Sequence, residues 1–123
     1  MSCQVPTNPR PISVTIVASL YVAVGIMGFT YHFHELLALQ HDSLWIELTE
    51  FLAFVCGAFM LRGHNWARWL ALAWMIFHVI VSAFNSIHQF LMHSLICALI
   101  AWAVLHSTAT RYFRRAPAEP LAT

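Results

Sequence analysis

The sequence predicts an all-α fold: an integral membrane four-helix up-and-down bundle with both termini in the cytoplasm. Of its 123 residues, 60% are hydrophobic and 9% are charged, whereas a soluble domain averages about 25% charged residues. So few charges cannot cover a surface that faces water, but they suit one that faces lipid. Long segments without a formal charge and a one-sided placement of the arginines are the other two observations. No basic stripe supports nucleic-acid binding, so we expect no nucleic-acid partner.

The first helix is predicted from residue 12 to about residue 39, after a cytoplasmic N-terminal arm of residues 1–11. Pro11 suits the first turn of a helix, and no formal charge occurs from Ile12 to Phe33. At a rise of about 1.5 Å per residue, that segment is long enough to cross a hydrocarbon core of about 30 Å. Helical spacing predicts that one face is shared by Tyr21, Gly25, Gly28, His32 and Glu35.

The second helix is predicted at about residues 44–62. Residues 41–43, His-Asp-Ser, indicate a short turn with an N-cap. Glu47 and Glu50 fall in the first two turns of this helix, where its dipole favours acidic side chains. A cation in the last turn followed by Gly63 is typical of a helix C-terminus.

The third and fourth helices are predicted at about residues 66–87 and 91–112. The run at 69–110 has no formal charge and is too long for one helix, so its polar group at 85–89 is the natural break. The remaining segment, 113–123, is rich in Pro and Ala, which predicts a disordered cytoplasmic tail.

The arginines predict the orientation of the spans. With four spans, all six fall on one side of the membrane: Arg10, Arg62, Arg68, Arg111, Arg114 and Arg115. The positive-inside rule places that side in the cytoplasm. Residues 12–112 are therefore predicted as a multi-pass domain of the cell inner membrane, with the lipid bilayer as a partner. The span pattern resembles that of small bacterial inner-membrane proteins, including the DoxX-like group, and it implies no role for any residue.

Polar residues inside the predicted spans form the candidate functional site. Folding the chain at its turns is expected to bring His32, Glu50 and His78 into one layer, in the outer half of the membrane. A polar stripe on a membrane helix normally faces other helices or a cavity, so we expect a polar core in the outer half and a tightly packed core in the inner half. The expected polar cluster comprises His32, Glu35, Glu47, Glu50, His78, Ser82 and Asn85.

Three functions fit such a cluster, and the sequence leaves them open. The leading interpretation is a non-enzymatic accessory or assembly protein of a larger membrane complex, in which Glu50 and His78 hydrogen-bond as a structural lock. The second is a redox protein that holds a metal ion through His32, Glu50 and His78, or that binds a haem or a quinone. The third is a proton-coupled carrier, which at this chain length would have to act as a homo-oligomer.

Overall fold

The computed structural model describes residues 9–38 and 41–114, and over these residues every element is a helix. Four of the helices are long and apolar enough to cross a membrane, and the fifth is short. Residues 1–8 of the predicted arm and 115–123 of the predicted tail lie outside the described part. The helices are α1 (Ile12–Leu37), α2 (His41–Leu61), α3 (Asn65–Asn85), α4 (Ile87–Leu105) and α5 (Ser107–Arg114).

Two of the turns differ from their predicted positions. Residues 41–43 belong to α2, and Asp42 lies in its first turn. The helix dipole favours an acidic side chain in the first turn as well as at the N-cap position. The turn that follows α1 begins at Ala38 instead. Ser86 alone separates α3 from α4 and caps α4, because its Oγ accepts a hydrogen bond from Gln89 N at 3.2 Å.

The fourth predicted helix is divided into α4 and α5. Its backbone leaves the helical conformation at His106. At this break Thr110 Oγ1 donates a hydrogen bond to Leu105 O at 2.9 Å. In a continuous helix a backbone N–H would donate to that carbonyl oxygen, so a side chain here replaces a backbone donor. Ala109 and Phe113 are buried, while the arginines of α5 are exposed. The short helix is therefore amphipathic and packs against the spans.

Hydrogen bonds join the start of α1, the end of α2, the start of α3 and the end of α4. Arg10 Nη1 and Tyr112 Oη both donate to Leu61 O, at 3.1 and 3.0 Å. Arg68 Nη1 donates to Val104 O at 3.3 Å. We call this end of the spans the arginine end. The opposite end, where α2 begins, we call the acidic end, because it carries Glu35, Asp42, Glu47 and Glu50.

The apolar core lies in the arginine half of the spans. The largest fully buried side chains are Val14, Cys56, Met60, Val104 and Phe113. The acidic half instead buries the polar side chains of Glu47 and Ser82. Arg68 is a buried charged side chain in the arginine half, so the distribution agrees only in part with the predicted division into a polar half and a tightly packed half.

Small residues allow α1 and α2 to make the most extensive helix contact of the described chain. A Cβ on Gly57 would lie 2.6 Å from Ala18 O, and a Cβ on Gly25 would lie 2.6 Å from Phe54 N. Such distances leave room only for a hydrogen atom, so the two backbones meet directly. The face of α1 predicted from helical spacing is confirmed, since all five of its residues are buried or half-buried.

We expect Gly57→Ala to lower the free energy of unfolding by about 1–3 kcal/mol, the usual cost of overpacking a closely fitted contact. The added Cβ would meet the backbone of Ala18, which cannot move unless the two helices separate. Thermal unfolding in detergent micelles measures the change, with Ser19→Ala on the exposed face of α1 as the control. Unchanged stability of Gly57→Ala would contradict the contact.

Burial raises the pKa of Tyr112, although the positive charge of Arg10 acts in the opposite sense. The folded-state value then exceeds the unfolded value of about 10, so the neutral hydroxyl stabilises the folded protein below about pH 10. This contribution is lost as pH rises through the folded-state pKa. We expect the unfolding temperature of the wild type to fall with pH in this range and that of Tyr112→Phe to fall less. Parallel curves would contradict the expectation.

Candidate functional site

Four of the predicted site residues form one group between α1 and α2 at the acidic end. His32 Nδ1 lies 3.2 Å from Glu35 Oε2. The Glu50 carboxyl lies against Gly28, one helical turn before His32 on α1, and Glu47 precedes Glu50 by one helical turn on α2. Glu47 is only 4% exposed, and the other three side chains are half-buried. We call His32, Glu35, Glu47 and Glu50 the acidic cluster.

The carboxyl of Glu50 packs directly onto Gly28 of α1. A Cβ on Gly28 would overlap Glu50 Cδ and both carboxyl oxygens. The glycine therefore provides the space in which the carboxyl lies. The sequence prediction places the turn at residues 41–43, and folding the chain there sets Glu50 opposite His32. In the structure the turn comes earlier, because α2 already begins at His41. The earlier turn moves the partner of Glu50 about one helical turn along α1.

Two carboxyl groups of the acidic cluster have oxygens that are buried without a partner. Within residues 9–38 and 41–114, no hydrogen bond reaches Oε1 or Oε2 of Glu47, or Oε2 of Glu50. Burial of an ionised carboxylate away from water is expensive unless a proton or a cation compensates its charge. The arrangement is chemically suited to binding one of these.

His78 and Ser82 belong to a second polar group, between α3 and α4. His78 Nδ1 donates to Trp74 O at 2.9 Å. Ser82 Oγ donates to His78 O at 2.7 Å and lies 3.0 Å from His93 Nδ1 on α4. Asn85, the last residue of α3, is exposed and belongs to neither group.

The predicted cluster did not include His93. The sequence does contain an observation that identifies it: folding the chain about the middle of the predicted break at residues 85–89 sets residue 82 opposite residue 92, next to His93.

Trp74 occupies the position between the two groups. Its Nε1 donates to Thr49 O at 2.9 Å, and its ring centroid is 4.0 Å from that of His78. Among the described residues, no hydrogen bond joins Glu50 to His78. The Nδ1–H of His78 donates to a carbonyl of its own helix. The hydrogen bond between α3 and α2 next to Glu50 is therefore made by the indole of Trp74.

No group of three or more His, Cys, Asp or Glu side chains in the described ranges is arranged to hold a metal ion. The ligand set predicted from His32, Glu50 and His78 is thus not brought together, since the first two lie between α1 and α2 and the third packs against Trp74 with its ring tilted. Haem or quinone binding stays a prediction that this geometry does not address.

Comparison with known proteins returned no match for this chain, whether among family models, curated proteins or solved structures.

We expect Gly28→Ala to displace the Glu50 carboxyl from the acidic cluster, because the new Cβ takes its place. The displaced atoms are the end of a flexible side chain, so the loss of stability should be smaller than for Gly57→Ala. Infrared difference spectra recorded across a pH titration report the carboxyl bands, and Ser19→Ala, on the exposed face of the same helix, is the control. Carboxyl bands identical to those of the wild type would contradict this placement of Glu50.

Proposed function

We propose that this chain is a multi-pass protein of the inner membrane that serves as an accessory subunit of a larger complex and binds protons at Glu47 and Glu50. The observation that carries the proposal is the Glu47 carboxyl, which is 4% exposed and has no hydrogen-bond partner in the described chain. Ionisable groups inside membrane helices are costly and usually functional. A bound proton neutralises such a group without needing further ligands.

Increasing burial through the acidic cluster supports a path for protons from the surface to Glu47. The side chain of Glu35 is 39% exposed and that of His32 is 27% exposed, whereas Glu47 is buried. Imidazole is the side chain that exchanges protons near neutral pH. His32 is in contact with Glu35 and follows by one helical turn Gly28, onto which the Glu50 carboxyl packs. The proposed path for a proton therefore runs from Glu35 by way of His32 and Glu50 to Glu47.

The apolar core of the arginine half supports an accessory role over that of a carrier acting alone. Beyond Glu47 the buried residues of α2 are apolar, among them Ala53, Cys56 and Met60 at 0% exposure. The buried hydroxyl of Tyr21 donates to Ala71 O, so no buried carboxyl or imidazole group of the described residues continues the path into the core. Transfer across the membrane would require a second protein or another copy of this chain.

The charge distribution supports an up-and-down bundle with both termini in the cytoplasm. Hydrogen bonds gather the start of α1, the end of α2 and the start of α3 at the arginine end, and every arginine of the described residues lies there. The positive-inside rule favours the cytoplasm for this end. The acidic cluster then faces the outer half of the membrane.

Infrared spectroscopy of the full chain in lipid bilayers tests the proton site. We expect a protonated carboxyl C=O band at neutral pH that is lost in Glu47→Gln and reduced or shifted in Glu50→Gln. Asp42→Asn, which changes an exposed carboxyl in the first turn of α2, is the matched control and should keep the band. Absence of a protonated carboxyl band from the wild type at neutral pH would overturn the proposal.

Two further measurements separate the alternatives. The first is the metal content of protein purified without a His tag. Stoichiometric metal that is lost in Glu47→Gln would show that the site binds a metal cation and not a proton. Proton flux into vesicles that contain this chain alone, if lost in the same variant, would favour the oligomeric carrier over the accessory subunit.

A further inference from the structure

Arg68 is a buried cation at the arginine end of α3. It is 4% exposed, and its guanidinium carbon lies 5.2 Å from the ring centroid of Trp69 and 5.3 Å from that of Phe113. Nη1 donates to Val104 O at 3.3 Å and to Thr110 Oγ1 at 3.1 Å. Nε is buried and has no hydrogen-bond partner in the described chain. The guanidinium is thus held firmly, with donor capacity left over.

The charge of Arg68 has no acidic counterpart nearby within residues 9–38 and 41–114. The four acidic residues of this part all belong to the acidic end, at the far side of the apolar core. Thr110 accepts a hydrogen bond from Arg68, and Arg114 follows Thr110 by one helical turn on α5, so the neighbouring charge is also positive. The carbonyl groups at the C-terminus of α4 supply only partial negative charge. Two neighbouring guanidinium groups with no carboxylate beside them in the described part of the chain form a site suited to an anion.

An apolar groove of about 510 Å³ between α1 and α4 reaches the same level of the protein. The end of the groove that approaches the arginines is lined by Ser13, Trp102 and Ala103. Ala103 is adjacent in the chain to Val104, whose carbonyl oxygen accepts the hydrogen bond from Arg68. Leu20 and Ile96 line it further into the span. The groove has no charged side chain in its lining, so a hydrocarbon chain suits it better than water does.

We propose that Arg68 and Arg114 bind the phosphate of an anionic phospholipid, with one of its acyl chains in the groove between α1 and α4. Thr110 positions Arg68 through its hydroxyl, which is itself fixed by its bond to Leu105 O. Arg gives charge-assisted and often bidentate hydrogen bonds to phosphate, and basic residues next to a span attract anionic lipids. The groove is the reason to assign the phosphate to a lipid and not to a free ion. This site is independent of the acidic cluster and of its proposed function.

The test uses the full chain, delipidated in a neutral detergent, with phosphatidylglycerol, phosphatidylcholine and inorganic phosphate as separate probes. Native mass spectrometry measures the lipid bound, and thermal unfolding measures its stabilising effect. We expect phosphatidylglycerol to bind and to stabilise the protein, and phosphatidylcholine to do so far less. Arg114→Gln should weaken binding of phosphatidylglycerol by about tenfold, the usual effect of losing one charge-assisted hydrogen bond.

Arg62→Gln is the matched control, because it removes the same charge from the same end at an exposed residue that lies over Phe59. It should leave binding within a factor of about two, since Arg62 lies over Phe59 at the end of α2, away from Thr110, and its charge reaches the site only through screening water. Arg68→Gln should abolish binding. If that variant fails to fold, Arg114→Gln alone still decides the question, because Arg114 is exposed.

Three results would overturn the proposal. Equal loss of binding in Arg62→Gln and Arg114→Gln would show attraction by diffuse charge and not a site. Equal binding of phosphatidylcholine and phosphatidylglycerol would show that the protein does not recognise the negative charge of the headgroup. Stabilisation by inorganic phosphate that matches the effect of phosphatidylglycerol would assign the site to a free ion.

Discussion

The close approach of α1 and α2 is the constraint on which the arrangement of this protein depends. Lipid tails are as apolar as a leucine side chain, so helices in a membrane associate through close packing and not through burial from water. Gly25 and Gly57 let the two backbones touch, and this contact fixes the register of one helix against the other. The register in turn sets the Glu50 carboxyl over Gly28 and encloses Glu47. A different register would lose the packing and the acidic cluster together.

The protein divides its two tasks between its two ends. The arginine half is filled with apolar side chains and closed by α5, whose Phe113 is 1% exposed. The acidic half has few buried apolar residues and instead encloses unpaired carboxyl oxygens. Rigid packing at one end stabilises the fold, which allows the other end to keep polar groups that do not stabilise it. Removal of α5 should therefore affect stability before it affects the acidic cluster.

Most of the helical spans could be predicted from the sequence, because hydropathy and the arginine positions report directly on burial in lipid. The partner of Glu50 could not, because register depends on where the turn falls, and Asp42 suits a cap and a first helical turn equally well. His78 has the right depth, but its ring packs against that of Trp74, a contact that spacing alone does not reveal. The end of α4 at His106 follows from a hydroxyl of Thr110, to which hydropathy is insensitive.

The connection between α3 and α4 has a consequence for how the protein is made. Ser86 is the only residue between the two helices, and adjacent Cα atoms are about 3.8 Å apart. A connection this short leaves no length of chain to hold the two helices apart. We therefore expect α3 and α4 to enter the membrane together as a helical hairpin during synthesis. With the arginines at its open end on the cytoplasmic side, as proposed above, the hairpin would take its orientation in a single insertion event.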